Sequence, residues 1–205
     1  MKQCLLYIHG KGGSAGEAAH YRPLFPDHTV IGLDYASDTP WDAGAEIREE
    51  VRRLRGEYDS ILLVANSIGA FFAMHAGIDA LVRKAFFISP IVDMEKLICD
   101  RMAEAHVTET QLKAQGTIPT SFGEDLSWDY LCYVRAYPIR WTAPTAVLYG
   151  SRDGLTSYGT MSSFAERHGA QLTVMEGGEH WFHTKAQMVF LDAWITDSAR
   201  SSERE

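Results

Sequence analysis

Cysteine is scarce: Cys4, Cys99 and Cys132 stand far apart and are odd in number. They form neither a disulfide framework nor the paired spacing of a zinc site, so a reducing, cytoplasmic setting is expected. No apolar run approaches the ~18 residues that a membrane span needs, and no basic and apolar leader stands before the first strand pattern. Cations are in the minority, 19 Lys and Arg against 27 Asp and Glu, for a formal net charge of −8. That balance speaks against a broad nucleic-acid surface and against attraction to anionic membranes, and says nothing precise about a substrate; the small molecule expected as partner follows from the motifs below, and the oligomeric state is open. Internal repeats and low-complexity linkers are absent. What is present is a globular proportion of hydrophobic residues, 46% of 205, enough for one compact domain with a sizeable core.

Short apolar runs alternate with helical patterns. "QCLLYIH", "HTVIGLDY", "SILLVA", "KAFFISP", "TAVLYG" and "QLTVME" read as strands covered on both faces. Helices are expected in "TPWDAGAEIREEVRRLRG", with Thr39 as cap, Pro40 in the first turn and Gly56 as stop, and in "SIGAFFAMHAG", "SYGTMSSFAERHG" and "WFHTKAQMVFLDAWITD". This alternation predicts a three-layer α/β/α sandwich around a mostly parallel sheet of about six strands, over residues 1–197, with 198–205 as a flexible tail. The rhythm breaks over about residues 93–140. No strand is expected there, and two helical patterns, "MEKLICDRMAEA" and "DLSWDYLCYVRAYP", suggest a helical insertion that caps the strand ends or adds packing to the core.

The link between "SILLVA" and its following helix is Ala65-Asn66-Ser67-Ile68-Gly69. Small-x-Ser-x-Gly is the pattern of a sharp strand-to-helix turn that raises a serine hydroxyl clear of the backbone. The flanking positions must be small because strand and helix approach closely there. A plain turn that happens to carry Ser is the alternative. A nucleophilic serine needs a base and a group to orient the base. Asp153 follows "TAVLYG", and His180 lies between "QLTVME" and the last helical pattern, so all three would meet at one edge of the sheet. Asp93 is a rival acid, because it too follows a strand. His183 is a rival base, although it falls within the last helical pattern. A metal pair of His180 and His183 has no further Cys/His cluster to support it.

The stretch "YIHGKGGSAGE" ends the first strand pattern. Its glycines let the backbone approach a ligand, and the backbone N–H groups of Lys11 and Ile68 are the candidate donors to an oxyanion. His9 reads as a structural hydrogen-bonder. Gly10-x-Gly12-x-x-Ala15, with Asp34 at the end of the next strand, also outlines a dinucleotide fingerprint, which would leave Ser67, Asp153 and His180 unexplained.

With "IHGKGG", "ANSIGA", "YGSRDG" and "GGEHWF" in this order, the chain resembles the α/β-hydrolase superfamily over residues 8–182. The resemblance implies Ser67 as nucleophile, His180 as base, Asp153 as its orienting acid, Lys11 and Ile68 as oxyanion donors, and no metal or cofactor. It departs in two places: Ala65 stands for the usual first glycine, and the first hairpin of the fold is missing. The expected activity is cleavage of a small carboxylic ester or thioester. A peptidase or amidase, or a non-catalytic ligand-binding relative, is the alternative. Phe122, Trp128, Tyr130 and Tyr133 of the insertion would line an apolar acyl or aryl pocket, or else form the insertion's own core.

Overall fold

The structure is a computed structural model that describes residues 1–121 and 123–201. It divides into two units, Met1–Val92 with Arg140–Glu205, and Asp93–Ile139.

The first unit is built on six parallel strands: β1 (Gln3–Ile8), β2 (Thr29–Leu33), β3 (Ser60–Asn66), β4 (Lys84–Ile88), β7 (Thr145–Gly150) and β8 (Gln171–Met175). Their order in the sheet is β2-β1-β3-β4-β7-β8. The four central strands are buried almost throughout, whereas the edge strands β2 and β8 are only partly covered. Continuous apolar runs in the sequence follow directly from helices packed on both faces.

On one face, Leu5, Tyr7, Leu62, Val64, Phe86, Ile88 and Leu148 form a core with Tyr21, Phe25, Leu191, Trp194 and Ile195. These partners come from a 3-10 helix (Ala15–Tyr21), the loop after it, and α7 (Lys185–Ser201). The alternate strand residues, among them Leu6, Leu63 and Phe87, face the other way. That side carries α1 (Pro40–Arg55) and α2 (Ser67–His75), which pack on each other. Thr39 caps α1 with Pro40 in its first position, and α6 (Tyr158–His168) ends at a left-handed Gly169, both as their sequences predict.

The chain runs from β1 outward to β2, then returns to place β3 on the other side of β1. In open α/β sheets the crevice at the carboxyl ends of such a strand pair is where ligands bind. The loop after β1 and the β3–α2 turn both lie at that point.

The second unit corrects the expectation of a strand-free insertion with two helices. It holds α3 (Met94–Glu104), α4 (Glu109–Gln115) and α5 (Trp128–Ala136), together with a short antiparallel pair, β5 (Thr117–Ile118) and β6 (Leu126–Ser127). Two paired residues per strand are too few to show alternation in a sequence. They form because Ile118 and Leu126 pack with Met102, Leu112 and Leu131 in this unit's own core. Arg135 clamps the unit from outside, reaching Glu95 at 2.7 Å and Glu109 at 2.6 Å.

The last helix begins at Lys185, later than "WFHT" suggests, because Thr184 and Gln187 form a reciprocal cap. It runs through Ser201, beyond the expected start of the tail. Among the described residues no helix is long and apolar enough to cross a membrane.

Candidate active site

Ser67 stands at the end of β3 with φ of +49°, a left-handed conformation that a residue with a Cβ adopts only when its surroundings enforce it. The enforcement comes from both sides. Ala65 is fully buried, paired with Ile8 of β1 and Phe87 of β4. Gly69, one turn into α2, sits so close to β1 that a Cβ there would collide with the His9 carbonyl. Gly69 is therefore required by the approach of the strand and helix backbones, while Ala65 is enclosed within the sheet. Gly10 makes the same allowance from the β1 loop, where a Cβ would lie 3.3 Å from Ser67 Cβ.

Ser67 Oγ is 2.8 Å from His180 Nε2, and His180 Nδ1 is 2.7 Å from Asp153 Oδ2. The carboxylate can only accept, so Nδ1 carries the imidazole proton and donates it. That leaves Nε2 as the acceptor for the Ser67 hydroxyl. The Asp153 side chain is fully buried, while that of His180 keeps 20% of its surface exposed. Asp153 Oδ1 accepts the backbone N–H groups of Leu155 at 2.7 Å and Thr156 at 3.1 Å. The buried carboxylate is therefore fully partnered and presents one oxygen, in a fixed direction, to the imidazole.

Two glycines that the sequence reading did not single out bring these loops together. Gly150 ends β7, and a Cβ on it would collide with the Gly178 carbonyl. The neighbouring backbones are cross-tied by Arg152 N–H to Gly178 O at 2.8 Å and Ser151 N–H to Met175 O at 3.0 Å. Asp153 and His180 follow these ties closely in their respective loops. The signal was present as "YG" at the end of one strand and "GG" before "EH", but only the contact between them shows what it does.

The rival residues have other roles. Asp93 is the N-cap of α3, accepting the Lys96 N–H at 2.9 Å. His183 is not helical, which corrects its expected place inside the last helix. Its Nδ1 donates to the Trp181 carbonyl at 2.7 Å and its ring stacks on that of Trp181. His9 is buried, stacked on Tyr35, with Nδ1 donating to Gly10 O at 2.8 Å. The dinucleotide outline fails on local structure: Ala15 opens a 3-10 helix rather than an α-helix, and Asp34 is engaged with the Ala15 N–H at 2.6 Å. Among the described residues no cluster of three or more His, Cys, Asp or Glu side chains is arranged to hold a metal ion.

Ile68 follows Ser67 in the first turn of α2, where backbone N–H groups have no partner within the helix. Lys11 follows Gly10 and its side chain is exposed. Trp128, Tyr130 and Tyr133 lie on α5 and are half-buried, Trp128 against the second unit's own core and Tyr133 beside Tyr137. Phe122 lies outside the described residues.

Sheet order, strand-to-helix turn and layer arrangement together define the α/β-hydrolase fold. No protein-family profile matches the sequence, and no curated protein is similar to it in sequence. Solved structures are similar in fold. Est1E from Butyrivibrio proteoclasticus superposes with a TM-score of 0.77 at 15% identity, covering 100% of this chain and 89% of that one. The same protein with ferulic acid bound gives 0.78 at 13% identity, over 100% and 90%. Mouse alpha/beta hydrolase domain-containing protein 10 gives 0.71 at 18%, over 96% and 89%. A lipase-esterase related protein from Clostridium acetobutylicum gives 0.65 at 15%, over 97% and 93%.

Proposed function

We propose that this chain is a serine hydrolase that cleaves a small carboxylic ester or thioester through an acyl-enzyme on Ser67. The observation that carries the reading is the unbroken hydrogen-bonded series from Asp153 through His180 to a serine held in a left-handed turn. Its fold neighbours add support, since one solved structure holds ferulic acid and another protein is described as lipase-esterase related.

In the first half-reaction Ser67 Oγ attacks the substrate carbonyl carbon as its proton passes to His180 Nε2. The imidazolium formed is stabilised by the Asp153 carboxylate, which stays ionised. The backbone N–H of Ile68, at the positive end of α2, and that of Lys11, in the loop beside Ser67, are the donors to the tetrahedral oxyanion. The adduct collapses, His180 gives its proton to the departing alkoxide or thiolate, and an ester to Ser67 remains. Water then attacks that ester, His180 takes one of its protons and returns it to Ser67 Oγ, and the carboxylic acid leaves.

The test is covalent labelling by a fluorophosphonate, read by intact mass on wild type and on Ser67→Ala. One adduct on wild type and none on the variant is expected. A folded wild type that takes no adduct overturns the reading. Kinetics on a panel of esters, thioesters and anilides of increasing acyl length would then assign the bond and the acyl group.

A further inference from the structure

We propose that Glu17, Tyr7 and Asn66 form a positioning relay, which holds the Ser67 turn in register with the loop after β1. The proposal rests on Ser67 being the nucleophile.

Tyr7 lies in the middle of the sheet and is 1% exposed. Its hydroxyl donates to Glu17 Oε2 and accepts a hydrogen bond from Asn66 Nδ2 at 2.8 Å. The direction is forced. A phenol has one proton and a carboxylate can only accept, so the Asn66 side chain must present its amide nitrogen to Tyr7. Burial first, and then the bond to Glu17, push the Tyr7 phenol far above its ordinary range, so it remains a donor.

Each end of the relay meets a different part of the site. At the outer end, Glu17 Oε1 accepts the Ser14 N–H at 3.3 Å, and Gly13 packs so closely that a Cβ there would lie 2.8 Å from that oxygen. The loop carrying Lys11 therefore rests on the Glu17 carboxylate. At the inner end, Asn66 is the last residue of β3 with extended backbone, φ of −103° and ψ of 137°, immediately before the left-handed Ser67. A small rotation at Asn66 would swing Ser67 Oγ away from His180 Nε2.

Asn66 is poorly explained as a stabilising residue. Its Oδ1 is buried with no hydrogen-bond partner among the described residues. An unsatisfied acceptor in that position is a penalty that an apolar side chain would avoid. What Asn supplies is an N–H that reaches Tyr7 and fixes the turn.

The experiment compares wild type, Tyr7→Phe, Glu17→Ala and Glu17→Gln in the full chain. It reads the melting temperature, kcat and KM on p-nitrophenyl acetate, and the rate of fluorophosphonate labelling. Tyr7→Phe is expected to stay folded and to lose about tenfold or more in kcat with KM unchanged, the labelling rate falling in parallel. Glu17→Ala should behave alike, and Glu17→Gln, which keeps an acceptor for the phenol, should recover most of that loss. A kcat and labelling rate within about twofold of wild type for a folded Tyr7→Phe would overturn the relay, whatever happens to the melting temperature. If Tyr7→Phe does not fold, Asn66→Ala carries the same test with the same two outcomes. A wild type that takes no label overturns the nucleophile reading and the relay with it, which separates the two failures.

Discussion

Asp153 Oδ2 lies 2.7 Å from His180 Nδ1, while Oδ1 of the same carboxylate takes two backbone N–H groups. Asp153→Asn can keep the backbone contacts through its remaining oxygen. Its amide would then face Nδ1 as a donor, driving the imidazole proton to Nε2, where it blocks proton transfer from Ser67. The expected loss in kcat is on the order of 10⁴-fold with little change in melting temperature. Asp93→Asn removes no contact to His180 and should leave kcat within about twofold. Steady-state kinetics on the two variants decides between the acids, and a larger loss for Asp93→Asn would reverse the assignment.

The two histidines of the loop before α7 are separated by the same logic. His180→Ala should abolish fluorophosphonate labelling. His183, bound to the Trp181 carbonyl and stacked on its ring, touches none of the reacting groups, so His183→Ala should retain labelling. Intact-mass spectra after a fixed exposure to the probe are sufficient to tell.

Backbone proximity sets a second group of expectations. Gly150→Ala places a methyl against the Gly178 carbonyl and must force apart the loops that carry Asp153 and His180. Overpacking of this kind destabilises by about 1–3 kcal/mol, and the backbone cannot rotate out of the way as a side chain would. Gly154→Ala meets open space and is the matched control. Thermal melts with labelling rates should show both quantities falling for Gly150→Ala, with Gly154→Ala close to wild type in stability.

Acid should weaken the fold through His75, at the end of α2. Burial lowers its pKa from an ordinary 6.5 to about 4, and its ring packs on Phe71. The unfolded chain takes up a proton near pH 6.5 that the folded chain refuses until about pH 4. The stability contributed is therefore full above pH 6.5 and is lost progressively as pH falls towards 4. Urea denaturation at a series of pH values should show this decline, and His75→Gln should flatten it. An unchanged slope in the variant would show that other groups carry the acid sensitivity.

What the sequence determined by itself is the local frame. Apolar runs marked all six strands of the sheet, most clearly the four central ones, because strands buried on both faces have few polar positions. Thr39 with Pro40, and Gly169, marked helix ends through chemistry confined to a few neighbours. The spacing around Ser67 was legible for the same reason: a close crossing of strand and helix admits only small residues. The same kind of local signal lies in "TETQ" and "TKAQ", where Thr and Gln three apart form the caps that start α4 and α7. The β5–β6 pair left no such mark, since it depends on packing within the second unit rather than on its own residues. Tertiary structure alone could decide which acid meets which base. Asp93 and Asp153 both follow strands, and His180 and His183 share a loop. The distinction rests on β7 and β8 being neighbours whose ends are drawn together at Gly150 and Gly178, a contact between segments that no short window of sequence contains.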